Sequence, residues 1–307
     1  MTDPHHDAGH DDMSALFKAY ITVFIALSNV AAVWLCYFVG KRYYSSFVGL
    51  AAAALFALSP WAIVYSRKIW AQDLLTVFTC LLLLTAHAFV IDRKPREIFW
   101  LVFLLGLMTQ LHFSAVALIF VLVPVFIAGR ETFRWRWFWL GIAAVAVLYL
   151  PYVWHLASTH AKELGALGGS ESTSRGQVLL ASLRHSLGVS CADAMDGLMG
   201  TEMKCASVLS LFLGLLGVFG LVWVYARDRR TPQASVRLAL LIWFIAPLVC
   251  LVVARVKPFP HYFIILYPLP FLGLALALEK LGARRPFLRN ASLAICLIIM
   301  SVLTGFV

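Results

Sequence analysis

The sequence predicts an all-α polytopic integral membrane protein with about ten transmembrane helices. Of its 307 residues, 62% are hydrophobic and 13% are charged, whereas roughly a quarter of the residues in a soluble domain are charged. The apolar residues gather into long stretches, and Lys and Arg fill every second gap between these stretches. Such alternation of basic gaps is typical of multispanning membrane proteins.

Ten apolar stretches are long enough to enter a bilayer, and each is a predicted helix. They are 15–40, 45–65, 73–91, 98–111, 113–129, 137–156, 205–226, 238–254, 262–278 and 290–307. Pro268 and Pro270 are expected to kink the ninth stretch. We predict a flexible extracytoplasmic tail over residues 1–14 and one transmembrane domain over residues 15–307, with an outer loop over residues 157–204.

The fourth and fifth stretches form an apolar run that is too long for one crossing. As a single helix, the run 98–129 would measure about 48 Å against a hydrocarbon core of roughly 30 Å. Both of its flanks are basic and should lie on the same face of the membrane. The sequence therefore predicts two short helices with a turn at Thr109–His112 on the outer face.

The charge pattern also predicts an orientation. The chain carries a net charge of +10, and most of its 25 Lys and Arg residues lie in gaps that we place on the cytoplasmic side. Short basic gaps beside membrane spans meet anionic lipid headgroups, so we expect membrane lipids rather than nucleic acid as partners. We therefore expect an integral membrane protein whose basic gaps face the cytoplasm. No cleavable signal peptide is visible, because residues 1–14 are acidic and rich in His.

The outer loop 157–204 contains leucines at helical spacing and one of two outer cysteines. The leucines predict a short amphipathic helix that lies on the membrane surface, covers a cavity or packs on the bundle. Cys191 and Cys205 are the outer-face pair, and we predict a disulfide between them. No spacing among the six cysteines resembles a zinc site, and we assign no metal ligands. The leucines are Leu179, Leu180, Leu183 and Leu187.

The first candidate site is the gap before the third stretch, where Arg67 and Lys68 precede Asp73. In a structural interpretation the two cations extend to lipid headgroups and Asp73 caps its helix. In a functional interpretation the cations bind the phosphate of a lipid substrate, and Asp73 is a general base or orients an acceptor hydroxyl. Residue spacing alone leaves both interpretations open.

The second candidate site is the gap before the ninth stretch, which gathers cations, a titratable histidine and aromatic residues. In a structural interpretation its aromatic residues belong to the interfacial belt, and His112 is a packed histidine. In a functional interpretation this gap is the second wall of a phosphate pocket, with Gln110 and His112 in the turn between the two short helices. The residues of this gap are Arg255, Lys257, His261 and Tyr262.

The order of several short motifs resembles the multispanning glycosyltransferases of the GT-C fold. The nearest branch is that of the protein O-mannosyltransferases and the aminoarabinose transferase of lipid A. The resemblance extends over about 15–281, and its motifs are short and mostly apolar. They are Lys41-Arg42-Tyr43-Tyr44, Gly49, Ala53, Ala57-Leu58-Ser59-Pro60, Tyr65-Ser66-Arg67, Asp73, Gly106 to His112, His261-Tyr262-Phe263 and Tyr267-Pro268.

The resemblance implies a GT-C-like bundle in the bacterial inner membrane and an inverting transfer of a sugar, with the active face extracytoplasmic. The donor would be a polyprenyl-phosphate sugar, with no certain cofactor, and the acceptor a lipid, a glycan or a protein. Asp73 and His112 would be catalytic, and the remaining polar residues of the two candidate sites would bind substrate. Members of the family carry a leading helix and a first outer loop with an acidic base, which this sequence does not match. We therefore expect a fragment without transferase activity of its own.

Three other classes of function remain open at this point. A non-catalytic polytopic subunit would explain the unmatched first acid. A polymerase or ligase of surface polysaccharide would use an outer loop rich in Arg and His, whereas the loop here is modest. A transporter would show internal repeats and ionisable residues within its spans, and the sequence has almost none.

Overall fold

The computed structural model describes residues 4–158, 174–187, 204–227 and 232–305, and within these ranges it contains helices and turns without β-strands. Short 3₁₀ segments cover Ala71–Leu74, Phe113–Leu118, Pro260–Leu266 and Gly282–Arg284. The α-helices are α1 (Pro4–Tyr43), α2 (Ser46–Ala57), α3 (Pro60–Ser66), α4 (Leu75–Val90), α5 (Glu97–Leu111), α6 (Ile119–Ala128), α7 (Trp135–Ser158), α8 (Arg175–Leu187), α9 (Lys204–Arg227), α10 (Pro232–Ala254), α11 (Leu269–Leu281) and α12 (Pro286–Gly305).

The predicted all-α membrane fold is confirmed. Among the described residues, five helices are individually long and apolar enough to cross a membrane. Two bent pairs, α2 with α3 and the 3₁₀ segment Pro260–Leu266 with α11, pass the same test as pairs. Three shorter apolar helices account for the remaining predicted stretches. The number of crossings therefore stays a prediction.

The bends have local causes in the sequence. Leu58 and Ser59 separate α2 from α3, which begins at Pro60; the two helices meet at 62°, so the stretch 45–65 is not one straight helix. Pro268 separates the 3₁₀ segment from α11, which meet at 47°, as the prolines of the ninth stretch predicted. The first helix begins at Pro4, within the segment expected to be a flexible tail, and its long apolar part is Leu16–Tyr43.

The predicted turn at His112 is confirmed. α5 ends at Leu111, His112 is extended with φ −160°, and Phe113 begins the next segment. The two basic flanks meet at the same end of the bundle, where Arg93 Nη1 donates to Glu131 Oε2 at 2.8 Å. The apolar run therefore forms a hairpin of two short helices.

Most of the basic gaps meet at one end of the bundle, which we call the basic end. Arg42 Nη2 and the Tyr43 hydroxyl donate to Asp92 Oδ2 at 2.9 and 3.0 Å and join the end of α1 to the end of α4. Although burial alone would raise the pKa of Asp92, these hydrogen bonds and the positive charge of Arg42 lower it overall. The Arg289 guanidinium lies 4.2 Å from the ring centroid of Phe47 and adds α12 to this end.

A buried polar group fixes the corner between α1 and α2 at the basic end. His87 is fully buried, its Nδ1 donates to the Leu83 carbonyl at 2.8 Å, and its Nε2 accepts from the Tyr44 hydroxyl at 2.8 Å. The Arg237 guanidinium lies 5.6 Å from the centroid of the Tyr44 ring. These contacts tie the corner to α4 and α10, and each protonatable nitrogen of His87 has a partner within the chain.

The centre of the bundle is α11, whose residues Leu269–Leu278 are all buried. α9 crosses it at very short range along a stripe of small residues. A Cβ placed on Gly217 would lie 2.3 Å from the Pro270 carbonyl oxygen, and one on Gly220 would lie 2.4 Å from that of Gly273. Small residues allow such close backbone approach where helices pack inside a membrane.

The predicted loop helix is present as α8, but its packed face differs from the leucine stripe. Val178, Ser182 and Ser186 are fully buried against the bundle. Leu179, Leu180 and Leu183 are exposed, and Leu187 is partly buried against the core. The small residues allow α8 to approach the bundle closely, while the exposed leucines suit a membrane surface.

The predicted disulfide between Cys191 and Cys205 stays a prediction. Cys191 lies outside the described residues, and the side chain of Cys205 is not described. Cys36, Cys80, Cys250 and Cys296 are free thiols.

Candidate functional site

The end of the bundle opposite the basic end is formed in part by three 3₁₀ segments, and the candidate residues lie on or beside them. We call this the site end. Asp73 lies in Ala71–Leu74, His112 immediately precedes Phe113–Leu118, and His261 lies in Pro260–Leu266. The ring centroids of His112 and His261 are 5.3 Å apart, and those of Trp70 and His261 are 5.9 Å apart. The structure therefore brings the two predicted gaps and the predicted turn together.

Asp73 is held by the turn that precedes its helix. α3 ends at Ser66, Trp70 is extended, and Asp73 Oδ2 accepts from the Trp70 backbone N–H at 3.1 Å. This is the capping contact that the structural interpretation predicted. Asp73 is only 1% exposed, so capping at an open membrane surface does not describe its position.

The second oxygen of Asp73 is the unusual feature of this site. Oδ1 is buried, and no described residue donates a hydrogen bond to it. A buried acceptor without a donor costs about 1–3 kcal/mol, and a charged one costs more. Native proteins contain few such atoms, and each calls for an explanation, such as a ligand or a catalytic role. The Asp73 carboxylate therefore has one oxygen committed to its turn and one available to a substrate.

Lys68 supplies positive charge next to this carboxylate. Its Nζ lies 4.7 Å from the centroid of the Trp70 ring and 5.3 Å from that of Tyr65. It is also the cation that acts electrostatically on both Asp73 and His261. Arg67, at the C-terminal cap of α3, is exposed; its backbone N–H donates to the Val64 carbonyl at 3.3 Å, and its side chain forms no hydrogen bond or ion pair within the described ranges. Lys68 is thus the inner cation of the site and Arg67 the outer one.

His112 is oriented by the residue that starts the next segment. The Ser114 backbone N–H donates to His112 Nδ1 at 3.2 Å, and the Ser114 hydroxyl lies 2.8 Å from the same nitrogen. Since Nδ1 accepts, the proton of the neutral ring is on Nε2. Burial, and then the neighbouring His261, lower the pKa of His112 from 6.5 to about 4. His112 is therefore a neutral imidazole at pH 7 with an N–H available for donation.

Aromatic rings pack around His261 and define the second wall. Its centroid is 4.8 Å from that of Tyr262 and 5.8 Å from that of Phe259. Tyr262 in turn lies 5.1 Å from His112, centroid to centroid. Because these rings contact one another across segments distant in sequence, they fix the spacing between the two walls of the site.

The remaining predicted residues lie at the edge of this cluster. Arg255 and Lys257 are exposed and form no ion pair with the described part of the chain. Arg255 has φ 55°, and the Val256 N–H donates to the Leu251 carbonyl at 3.2 Å, so Arg255 closes the end of α10. Gln110 Nε2 donates to the Leu148 carbonyl at 2.9 Å, which gives Gln110 a structural contact with α7.

Two residues of the site were not predicted from the sequence. Trp70 lies between Lys68 and His261 and connects the two walls, and Ser114 orients His112. An interfacial tryptophan is common in membrane proteins, so its type alone did not single it out. A serine two residues after a histidine in a tight turn is a signal that could have been used.

The first half of this all-α membrane bundle, which contains two of the candidate site residues, is similar to a family of membrane glycosyltransferases. Residues 16–155 match the family model described as dolichyl-phosphate-mannose-protein mannosyltransferase, which supports a membrane glycosyltransferase of the mannosyltransferase type. The matched region contains Asp73 and His112 and ends before His261. No curated protein and no solved structure matches the chain.

Proposed function

We propose that this site transfers a sugar from a polyprenyl-phosphate donor to a lipid, glycan or protein acceptor on the extracytoplasmic face of the bacterial inner membrane. The observation that carries the proposal is the buried carboxylate of Asp73, whose Oδ1 has no donor among the described residues, beside Lys68 and the two histidines. A carboxylate, a cation and a neutral N–H donor are the groups that such a transfer needs.

The reaction exchanges one bond at the sugar's anomeric carbon for another. The acceptor hydroxyl oxygen attacks this carbon, the bond from carbon to the phosphate oxygen breaks, and polyprenyl phosphate leaves with the electron pair. The acceptor's proton passes to Asp73 Oδ1, which is buried and otherwise unbonded within the described ranges. Attack from the face opposite the phosphate inverts the anomeric configuration.

The leaving phosphate is held by the groups around Asp73. Lys68 and Arg67 supply positive charge at the site end, with Arg255 and Lys257 at its edge. His112 donates from Nε2, because its Nδ1 is occupied by Ser114 and its pKa of about 4 keeps it neutral. We therefore assign His112 to binding of the developing phosphate charge rather than to proton transfer.

The test is the substitution Asp73→Asn in the full-length protein, in membranes that carry it, with polyprenyl-phosphate mannose as the labelled donor. Asparagine keeps the shape and the oxygen that caps Trp70, but it cannot accept the proton. We expect transfer to fall by about 10²-fold or more, which is the scale of lost general-base help. Binding of the donor should change much less, because the cations remain.

The matched control is Asp92→Asn, the same chemical change at the basic end. Asp92 contacts Arg42 and Tyr43 and lies far from the site, so transfer should be unchanged. Transfer unaffected by Asp73→Asn would remove Asp73 from the mechanism. Absence of both donor binding and transfer in the wild-type protein would contradict the proposed function.

A further inference from the structure

A second feature of the bundle is an apolar groove that shares no residue with the candidate site. It has a volume of about 460 Å³ and lies between α9, α11 and α12. Its walls include Phe212 and Trp223 on α9, Leu281 on α11, and Ser292 and Ile299 on α12. Both buried and exposed apolar side chains line it, and no residue of the candidate site contributes to it.

α12 contacts the rest of the bundle near both of its ends, and the groove lies between these contacts. The Thr304 hydroxyl donates to the Leu58 carbonyl at 2.6 Å at the site end. At the basic end, Arg289 packs on Phe47, and its Cβ lies against Gly282. Between these two contacts, Ser292, Ile295 and Ile299 of α12 line the groove.

Each of the three helices that form the groove carries a cation at the same end. Arg227 ends α9, Lys280 lies in the last turn of α11, and Arg289 lies in the first turn of α12 after the exposed Arg285. The lining residues Trp223, Leu281 and Ser292 lie about one helical turn or less from these cations. Glu279 is the one carboxylate among the described residues at these three helix ends. The mouth of the groove is therefore basic while its walls are apolar.

The length of the groove matches one leaflet of a bilayer. Its lining runs from Phe212 to Trp223 on α9 and from Ser292 to Ile299 on α12. At about 1.5 Å per residue these stretches measure roughly 10–17 Å, against about 15 Å for half of the hydrocarbon core. An acyl chain that enters at the basic mouth would thus end near the bilayer centre.

We propose that this groove is a binding site for an anionic phospholipid of the leaflet at the basic end. One acyl chain fills the groove between α9, α11 and α12, and the headgroup phosphate lies among Arg227, Lys280, Arg285 and Arg289. The charge of the mouth selects an anionic headgroup, and the apolar walls require a chain. Bound there, the lipid supplies the packing that α12 lacks along this face. This site is independent of the proposed transfer reaction.

The experiment is native mass spectrometry of the full chain released from nanodiscs that contain equal amounts of phosphatidylglycerol and phosphatidylcholine. The wild-type protein should retain phosphatidylglycerol in preference to phosphatidylcholine. Filling the groove by Ser292→Phe with Ile299→Trp should lower retention of phosphatidylglycerol by about fivefold or more. The pair Arg227→Gln and Arg285→Gln should lower the preference by about fivefold per cation, since each basic residue near a membrane surface contributes about that factor.

Two controls separate the site from general lipid contact. Ile142→Trp fills a similar apolar groove beside α7 and should leave the preference unchanged, as should Arg130→Gln at another exposed cation of the basic end. Equal retention of both lipids by the wild-type protein would overturn the proposal. So would an unchanged preference in the double Gln variant, which decides the question even if the groove-filling variant does not fold. Retention of added polyprenyl phosphate in place of phosphatidylglycerol would instead assign the groove to a donor lipid.

Discussion

The two nitrogens of His112 lie in different environments, and this asymmetry decides what the residue can do. Nδ1 accepts from the Ser114 N–H and so belongs to the turn, while Nε2 forms no hydrogen bond within the described ranges. The neighbouring His261 and the surrounding burial keep the ring neutral. The sequence placed His112 at the turn correctly, but it could not show which nitrogen was committed to the fold.

Substitutions at His112 can separate its structural and functional parts. His112→Asn keeps an acceptor near the Nδ1 position and removes the Nε2 donor, whereas His112→Ala removes both. We expect His112→Asn to keep the thermal stability but to lower transfer by about 10-fold or more, because the donor to the phosphate is lost. His112→Ala should lower both, because the turn also loses its cap. Equal transfer by the Asn variant and the wild type would show that Nε2 has no role.

The low pKa of His112 also predicts how stability depends on pH. The folded-state pKa is about 4, whereas the unfolded chain takes up the proton near pH 6.5. Between these values the unfolded state binds more protons than the folded state, so stability falls as the pH falls through this window. Thermal unfolding of the wild type and of His112→Asn from pH 7.5 to pH 4 should show a smaller loss in the variant. Parallel pH profiles would contradict this role of His112.

At the scale of elements, the contact of α9 with α11 depends on glycine. A Cβ on Gly217 would meet the Pro270 carbonyl oxygen at 2.3 Å, and backbone cannot move aside as a flexible side chain can. We expect Gly217→Ala to destabilise the protein by about 1–3 kcal/mol, the usual cost of overpacking a tight interior. Thermal unfolding in detergent, with the loss of α-helical circular dichroism as signal, would measure this.

The control for this substitution is Gly176→Ala in α8. A Cβ on Gly176 has no neighbour within 4 Å, so the change should be neutral or stabilising by about 0.5–1 kcal/mol, as expected for alanine in a helix. If both variants unfold at the same temperature, the close approach of α9 to α11 is not important for stability.

An element could be predicted where neighbouring residues of the sequence determine it, and could not where packing against distant elements does. The hairpin at His112 followed from a length that exceeds the membrane and from two basic flanks, which are both visible in the sequence. The bend at Ser59 and Pro60 was missed, because this pair also fits the first turn of a helix. The packed face of α8 was missed because Ser182 and Ser186 are buried by the shape of the neighbouring helices, which sequence periodicity does not contain.

The residues of the site likewise divide into those that the sequence predicted and those whose contacts depend on packing. Lys68 and Asp73 are neighbours along the chain, so their residue types alone predicted their proximity. The contact of Trp70 with His261 joins segments about 190 residues apart and depends on how α4 and the segment Pro260–Leu266 pack together. Burial of Asp73 was likewise set by this packing, whereas the sequence indicated only an interfacial carboxylate.

For the whole molecule, the charge asymmetry predicts which end faces the cytoplasm. Single cysteines at Arg130, an exposed residue of the basic end, and at Gly168, in the predicted outer loop, would report on the two faces in a background without native cysteines. We expect a membrane-impermeant maleimide to label Gly168→Cys in intact cells and Arg130→Cys only after permeabilisation. The reverse pattern would invert the orientation and place the candidate site in the cytoplasm.

The three 3₁₀ segments give the site end a mechanical property that straight helices would lack. A 3₁₀ turn rises about 2.0 Å per residue, whereas an α-helix rises about 1.5 Å. Each residue that changes between the two forms therefore shifts the segment by about half an ångström and rotates the side chains beyond it. Asp73, His112 and His261 each lie on or beside such a segment, so a change from 3₁₀ to α geometry there would move a candidate residue without repacking the long helices.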